Sequence, residues 1–185
     1  MNTFDHAFAK VIGVEGRYSN NPADSGGETM FGITVAVARA NGYAGPMRAM
    51  PIDVAKRIYR SEYWDALKLD EIAESCPRLA HELFDTGVNC GIGVAGRFLQ
   101  RALNGLNKRG KLYSDIAEDG RIGNVTVSSI RQLSAARGKR DAETALLRLC
   151  DGQQIARYLD LSQSRPKDEA FLFGWIINRT GTGEV

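Results

Sequence analysis

Apolar residues recur at helical spacing along most of the chain. Phe4, Ala7, Phe8, Val11 and Ile12 form one stripe of a first helix, with Thr3 as its N-cap and an end at Glu15-Gly16. Residues 16–34 break the pattern with Asn20-Asn21-Pro22 and Asp24-Ser25-Gly26-Gly27, and Phe31-Gly32-Ile33-Thr34 suits a short strand in a small hairpin. Thr34 is then placed to cap a short helix over 35–40, closed by Asn41-Gly42. Pro51 opens a helix through Ile52, Ala55, Ile58, Tyr59 and Tyr63 that ends around Trp64-Asp65. Leu79, Leu83, Phe84 and Val88 mark another after Pro77, broken at residues 89–93, and Val94, Phe98, Leu99, Ala102 and Leu103 begin the next. Helical spacing returns in Val127, Ile130 and Leu133, in Ala145, Leu149, Ile155 and Leu159, and in Phe171, Leu172, Trp175 and Ile176. Phe98, Leu99, Phe171 and Trp175 are expected in the core.

The expected class is therefore all-α, mainly helical, with room for one small β-hairpin beside the polar excursion at 16–34. From Asn104 to Asn124 the composition shifts to Gly, Lys, Arg, Asp and Asn. That shift divides the chain into 1–104 and a helical 105–185, expected to pack as one compact unit. Internal repeats and low-complexity tracts are absent.

Composition narrows the classes. Hydrophobic residues make up 43% and charged residues 25%, which suits a globular protein with a real core. No run of apolar residues is long enough to span a bilayer, and Met1–His6 lacks the basic and apolar regions of a secretory signal. Cys76, Cys90 and Cys150 are widely spaced, and His6 and His81 are the two histidines, which points to reduced thiols and away from a metal site. No cofactor is expected. Net charge is +2 but unevenly split, −3 over residues 1–90 and +5 over 91–185. Arg97, Arg101, Lys108, Arg109 and Lys111 form a basic run, read either as attraction to an anionic polymer or as a solvated face.

The polar excursion carries the candidate chemistry. Cleavage of a glycosidic bond needs a proton donor and a group that stabilises or captures the oxocarbenium-like centre. Glu15, at the C-terminal end of an apolar helix, suits the first role, because partial burial and the negative helix end both raise a carboxyl pKa. Asp24, in a polar Gly-rich loop, suits the second. Thr29 or Thr34 is placed to position a water, and Gly26 and Gly27 let a polysaccharide approach the backbone. Tyr18, Tyr63, Trp64 and Asn89 are candidates for a sugar cleft, through ring stacking and amide hydrogen bonds. The competing readings are helix-end packing for Tyr63 and Trp64, a helix C-cap for Asn89, and an Asx-turn for Asp24.

The whole stretch from Glu15 to Thr34 resembles the signature of glycoside hydrolase family 108, which runs Glu-Gly-Gly-Tyr, Asn-Pro-x-Asp-x-Gly-Gly-x-Thr, Phe-Gly-Ile-Thr. Arg17 stands here at the second glycine. Tyr63-Trp64, Phe84-Asp85 through Val88-Asn89, and Phe98-Leu99-Gln100-Arg101-Ala102-Leu103-Asn104 are similar to later family elements. Asp119-Gly120-Arg121-Ile122-Gly123-Asn124-Val125-Thr126 resembles an element of peptidoglycan-binding segments, with Asn124 in place of proline, and Gly174-Trp175 with Arg179 resembles the family's C-terminal close. The resemblance covers essentially the whole chain. It implies a lysozyme-like α fold and an N-acetylmuramidase cutting the β-1,4 bond between N-acetylmuramic acid and N-acetylglucosamine, with Glu15 as general acid. The spacing of Glu15, Asp24 and Thr29 is also similar to that of phage-type lysozymes, which carry one more residue before the threonine. The implied partner is bacterial peptidoglycan, met by a monomer that binds no nucleic acid. Such a protein is expected to be made in the bacterial cytoplasm and to reach the wall through a holin or an export system, for lysis or local wall remodelling. The competing functions are a lytic transglycosylase and a non-enzymatic binder of glycan or nucleic acid.

Overall fold

The computed structural model describes residues 3–15, 18–20 and 27–181, without the side chains of Val14, Glu15 and Pro166. It is mainly α-helical, with one two-stranded antiparallel hairpin among the described residues. The chain forms two compact units, residues 1–65 and 66–185.

In the first unit, helix α1 (Thr3–Glu15) is followed by strands β1 (Thr29–Met30) and β2 (Ile33–Thr34), helix α2 (Val35–Ala40), a 3₁₀ turn (Met47–Ala49) and helix α3 (Ile52–Tyr59). Helix α3 runs on into a π-helical turn (Arg60–Asp65). The apolar stripe of α1 is buried at Phe4, Ala7, Phe8 and Val11. Phe8 meets Tyr59 edge-on at 5.6 Å between ring centres, and Phe4 meets Trp64 at 5.3 Å. Lys56 and Asp5 pair at 2.6 Å across the same face. Thr34 caps α2, its hydroxyl accepting from the Val37 amide at 3.3 Å, as the sequence pattern requires.

The second unit contains α4 (Leu69–Ala73), α5 (Pro77–Cys90), α6 (Ile92–Leu106), α7 (Asn124–Arg137), α8 (Lys139–Ser164) and α9 (Glu169–Arg179). Helix α5 lies at its centre and packs on α4, α6 and α8. Leu79, Ala80, Leu83 and Phe84 of α5 are fully buried. Glu143 of α8 accepts from the backbone amides of Arg78 at 2.7 Å and Leu79 at 3.3 Å. It thus caps the N-terminus of α5 from a neighbouring helix, where the helix dipole favours a carboxylate.

Two apolar assignments are corrected. Leu149, Ile155 and Leu159 of α8 are exposed, and its buried residues are Ala142, Glu143, Leu146, Leu147, Cys150, Gln154, Tyr158 and Ser162. Counting only apolar residues selects the wrong face, because Glu143, Gln154 and Ser162 on the buried face are polar and hydrogen-bonded. Phe171, expected in the core, is 57% exposed, and Trp175, expected there too, is only half-buried. The Phe171 ring stacks on Trp175, which lies over Tyr158 at 5.2 Å. Phe98 and Leu99 are in the core as expected.

The long connection between α6 and α7 is ordered by one face of α6. Gln100 Nε2 donates to Asp119 Oδ1 at 2.9 Å and its Oε1 accepts from the Gly120 amide at 2.8 Å. Asn104 bonds Ile116 at both its carbonyl and its amide, and the Tyr113 hydroxyl donates to the Leu103 carbonyl at 2.9 Å. Gly120, at a φ of +80°, lies so close to α6 that a Cβ would stand 2.4 Å from the Gly93 carbonyl oxygen. That proximity explains the glycine of the Asp-Gly-x-Ile-Gly element.

Candidate active site

The candidate site begins in sequence where α1 ends. Glu15 is the last residue of that helix, and its side chain lies outside the described residues, as do Asp24 and Arg17 entirely. The described residues around them are well connected. Ser19 and Thr29 form an isolated antiparallel bridge, with the Ser19 amide donating to the Thr29 carbonyl at 3.0 Å and the Thr29 amide to the Ser19 carbonyl at 2.8 Å. Thr29 pairs on its other side with Thr34. Directly opposed residues on antiparallel strands share a face, so Ser19, Thr29 and Thr34 set three hydroxyls in a row. Thr34 has its hydroxyl committed to the α2 cap. The bridge thus joins the described residues on either side of the stretch of sequence that contains Asp24.

The hairpin turn is Phe31-Gly32, with φ of +54° and +74°. Positive φ at both central residues matches a type I′ turn, whose twist suits a two-residue hairpin. A non-glycine residue in this region is uncommon. The Tyr59 hydroxyl donates to the Phe31 carbonyl at 2.9 Å and fixes the turn from below.

Tyr18 is half-buried. Its hydroxyl donates to Glu28 Oε1 at 2.6 Å, and the Arg48 guanidinium sits 4.4 Å over its ring. One face of the ring is therefore taken by a cation, and the contact ties the 3₁₀ turn to the hairpin. Tyr63 stacks on Tyr59 at 5.4 Å. Trp64 is 0% exposed, packed against Phe4 and reached by Arg60 at 5.9 Å from its ring. A fully enclosed indole presents no face to a pyranose, so the sugar-stacking expectation for Trp64 is corrected to helix packing. Asn89 belongs to the second unit, where its Nδ2 donates to the Tyr158 hydroxyl at 2.6 Å, which also accepts from Gln154 at 2.8 Å.

Thr29 and Thr34 are therefore brought together, with Tyr18 next to Ser19 and bonded to Glu28, and with Tyr63 near the turn's anchor. Ser19, Glu28, Arg48 and Tyr59 complete the arrangement and were not singled out from sequence. Tyr59 alone carried a signal, since a tyrosine in an apolar stripe needs a partner for its hydroxyl. Among the described residues no group of three or more His, Cys, Asp or Glu could hold a metal ion, and no helix is long and apolar enough to cross a membrane.

Residues 8–91 match the family described as glycosyl hydrolase 108, and residues 94–180 match one described as a predicted peptidoglycan domain. Together with the helical architecture these define a glycoside hydrolase that acts on peptidoglycan. Among solved structures the chain shares its fold with SagA of Brucella abortus, at 24% identity and a TM-score of 0.72, covering 98% of this chain and 92% of that one. No curated protein matches it.

Proposed function

We propose that the protein is an N-acetylmuramidase that hydrolyses the β-1,4 bond between N-acetylmuramic acid and N-acetylglucosamine. Glu15 is the general acid, delivering a proton to the leaving glycosidic oxygen. The observation that supports this reading is the Ser19–Thr29–Thr34 ladder, which joins the described residues on either side of the segment that contains Asp24, a few residues along the chain from the end of α1 at Glu15. A carboxyl at a helix C-terminus meets the negative end of the dipole, which favours its protonated form. Asp24, in a polar segment, remains ionised and either stabilises the positive centre or directs a water, and Thr29 orients that water. Tyr18, Thr34 and Tyr63 contribute to substrate binding from the same unit.

The test is digestion of purified peptidoglycan by wild type, Glu15→Gln and Asp24→Asn, with product analysis by mass spectrometry. Loss of a general acid costs roughly 10²–10⁴-fold in rate. Reducing muramic acid ends from wild type and their loss in Glu15→Gln support the reading. Anhydro ends indicate a lytic transglycosylase, and undiminished lysis by Glu15→Gln removes Glu15 as the acid.

A further inference from the structure

A cavity of about 500 Å³ opens between α6 and α8 in the second unit, well inside the size range of ligand sites. Three guanidinium groups line it, from Arg101, Arg148 and Arg157, against one carboxylate, Asp160. Arg101 is only loosely engaged, with Glu118 at 4.0 Å. Leu149 and Leu161 supply apolar wall, and Leu149 is one of the residues whose exposure on α8 the helical pattern did not anticipate.

Two atoms of the wall lack hydrogen-bond partners. Gln153 directs its Nε2 to the carbonyls of Phe98 at 2.9 Å and Leu149 at 3.0 Å, which leaves its Oε1 buried and unpaired. The Nε of Arg157 is likewise buried without a partner, while the rest of its guanidinium reaches the Cys90 thiol. Buried orphans of this kind are rare in native proteins. Here they are one acceptor and one donor on the same wall, and a small rotation of either side chain into the cavity satisfies it if a ligand offers the complement. The complement is an N–H beside an anionic oxygen.

We propose that this cavity binds the peptide stem of peptidoglycan, through a stem carboxylate on Arg148 and Arg157 and a neighbouring amide N–H on Gln153. The proposal rests on the reading of the protein as a peptidoglycan hydrolase and deepens it by separating stem recognition from glycan cleavage. A stem combines carboxylates, amide N–H groups and small apolar side chains, which match guanidinium, glutamine and leucine in turn. A glycan strand fits less well. Phe98, the aromatic residue of the wall, is 8% exposed and offers no open ring face, and neutral sugars bring no charge to meet the guanidinium groups of the wall.

The experiment is calorimetric titration of the full chain with the free tetrapeptide L-Ala–γ-D-Glu–diaminopimelate–D-Ala, alongside the same peptide with its carboxylates amidated and a stem-free glycan strand. Saturable binding of the tetrapeptide is expected, weakened at least tenfold in Arg148→Gln and in Gln153→Leu, and weakened similarly by amidation. Arg140→Gln, on the exposed start of α8, is expected to bind as wild type does. Arg148 is exposed, so its variant folds irrespective of the outcome at Gln153, and thermal melts verify both. Absence of tetrapeptide binding by a wild-type protein that still cleaves glycan overturns the stem site alone. Binding unchanged in both variants overturns it too, as does preferential binding of the stem-free strand or of a short oligonucleotide. Tetrapeptide binding without any glycan cleavage leaves the stem site standing and removes the hydrolase reading.

Discussion

Phe31 holds a φ of +54° beside Gly32 at +74°, a conformation that most side chains avoid. The Tyr59 hydroxyl compensates by donating to the Phe31 carbonyl, while its ring stays packed against Phe8 and Tyr63. Tyr59→Phe removes the hydrogen bond and keeps both ring contacts, so a loss of about 1 kcal/mol is expected in urea unfolding. If the hairpin positions the site, wall digestion by this variant falls further than its stability does. Tyr113 makes a second prediction. Burial raises its phenol from 10.0 to about 12, and the neutral hydroxyl donates to the Leu103 carbonyl. A raised folded pKa means that the folded state holds its proton more tightly than the unfolded chain does. This contribution is therefore complete below pH 10 and is lost as pH rises toward 12. Thermal melts across that window should show a steeper decline in wild type than in Tyr113→Phe, with Tyr158, also raised by burial, sustaining part of the slope in both.

Helices join through polar contacts as much as through apolar stripes. Arg179 of α9 pairs with Asp85 of α5 at 3.1 Å, both side chains at most 15% exposed. Removing one member of such a buried pair costs roughly 3–5 kcal/mol in enclosed settings. Arg179→Met is accordingly expected to lower the melting temperature and to expose α9 to proteolysis before the rest of the second unit. Gly96→Ala tests another junction. Alanine favours a helix by about 1 kcal/mol over glycine. A Cβ there, however, stands 2.2 Å from the Gly120 carbonyl oxygen, closer than any real contact. The clash should dominate at about 1–3 kcal/mol, with faster amide exchange in the connection at 107–123. These junctions also mark where the sequence could be read and where it could not. Helix starts and stops followed from local chemistry, as at Pro51, Pro77 and the Thr34 cap, and so did the hairpin. The buried face of α8 did not, because Glu143 and Gln154 meet partners more than 60 residues away along the chain, Arg78 and Thr86. The site divided in the same way: Thr29, Thr34 and Tyr18 belong to one local excursion, whereas Arg48 and Tyr59 reach it from other elements that no spacing rule connects.

At the scale of the whole molecule, family matches and packing draw different lines. The two matched regions meet between residues 91 and 94, at the junction of α5 and α6, whereas the compact units divide after residue 65. Helix α5 belongs by match to the hydrolase region, but it packs on α4, α6 and α8 within the second unit. Leu79, Leu83 and Phe84 are each fully buried there, and Glu143 and Arg179 direct their charges onto α5 from α8 and α9. Three large apolar side chains contribute roughly 1.5–3 kcal/mol each by leaving water. Their sum rivals the total stability of a typical domain, about 5–15 kcal/mol. A fragment starting at residue 94 lacks α4 and α5 and leaves the inner faces of α6 and α8 in solvent. A fragment starting at residue 66 retains every helix of the unit. Circular dichroism should therefore show cooperative thermal unfolding for 66–185, and reduced helicity without a sharp transition for 94–185. An equally cooperative transition at the same temperature in both fragments would place the folding unit at the family boundary, with α5 an attachment to it.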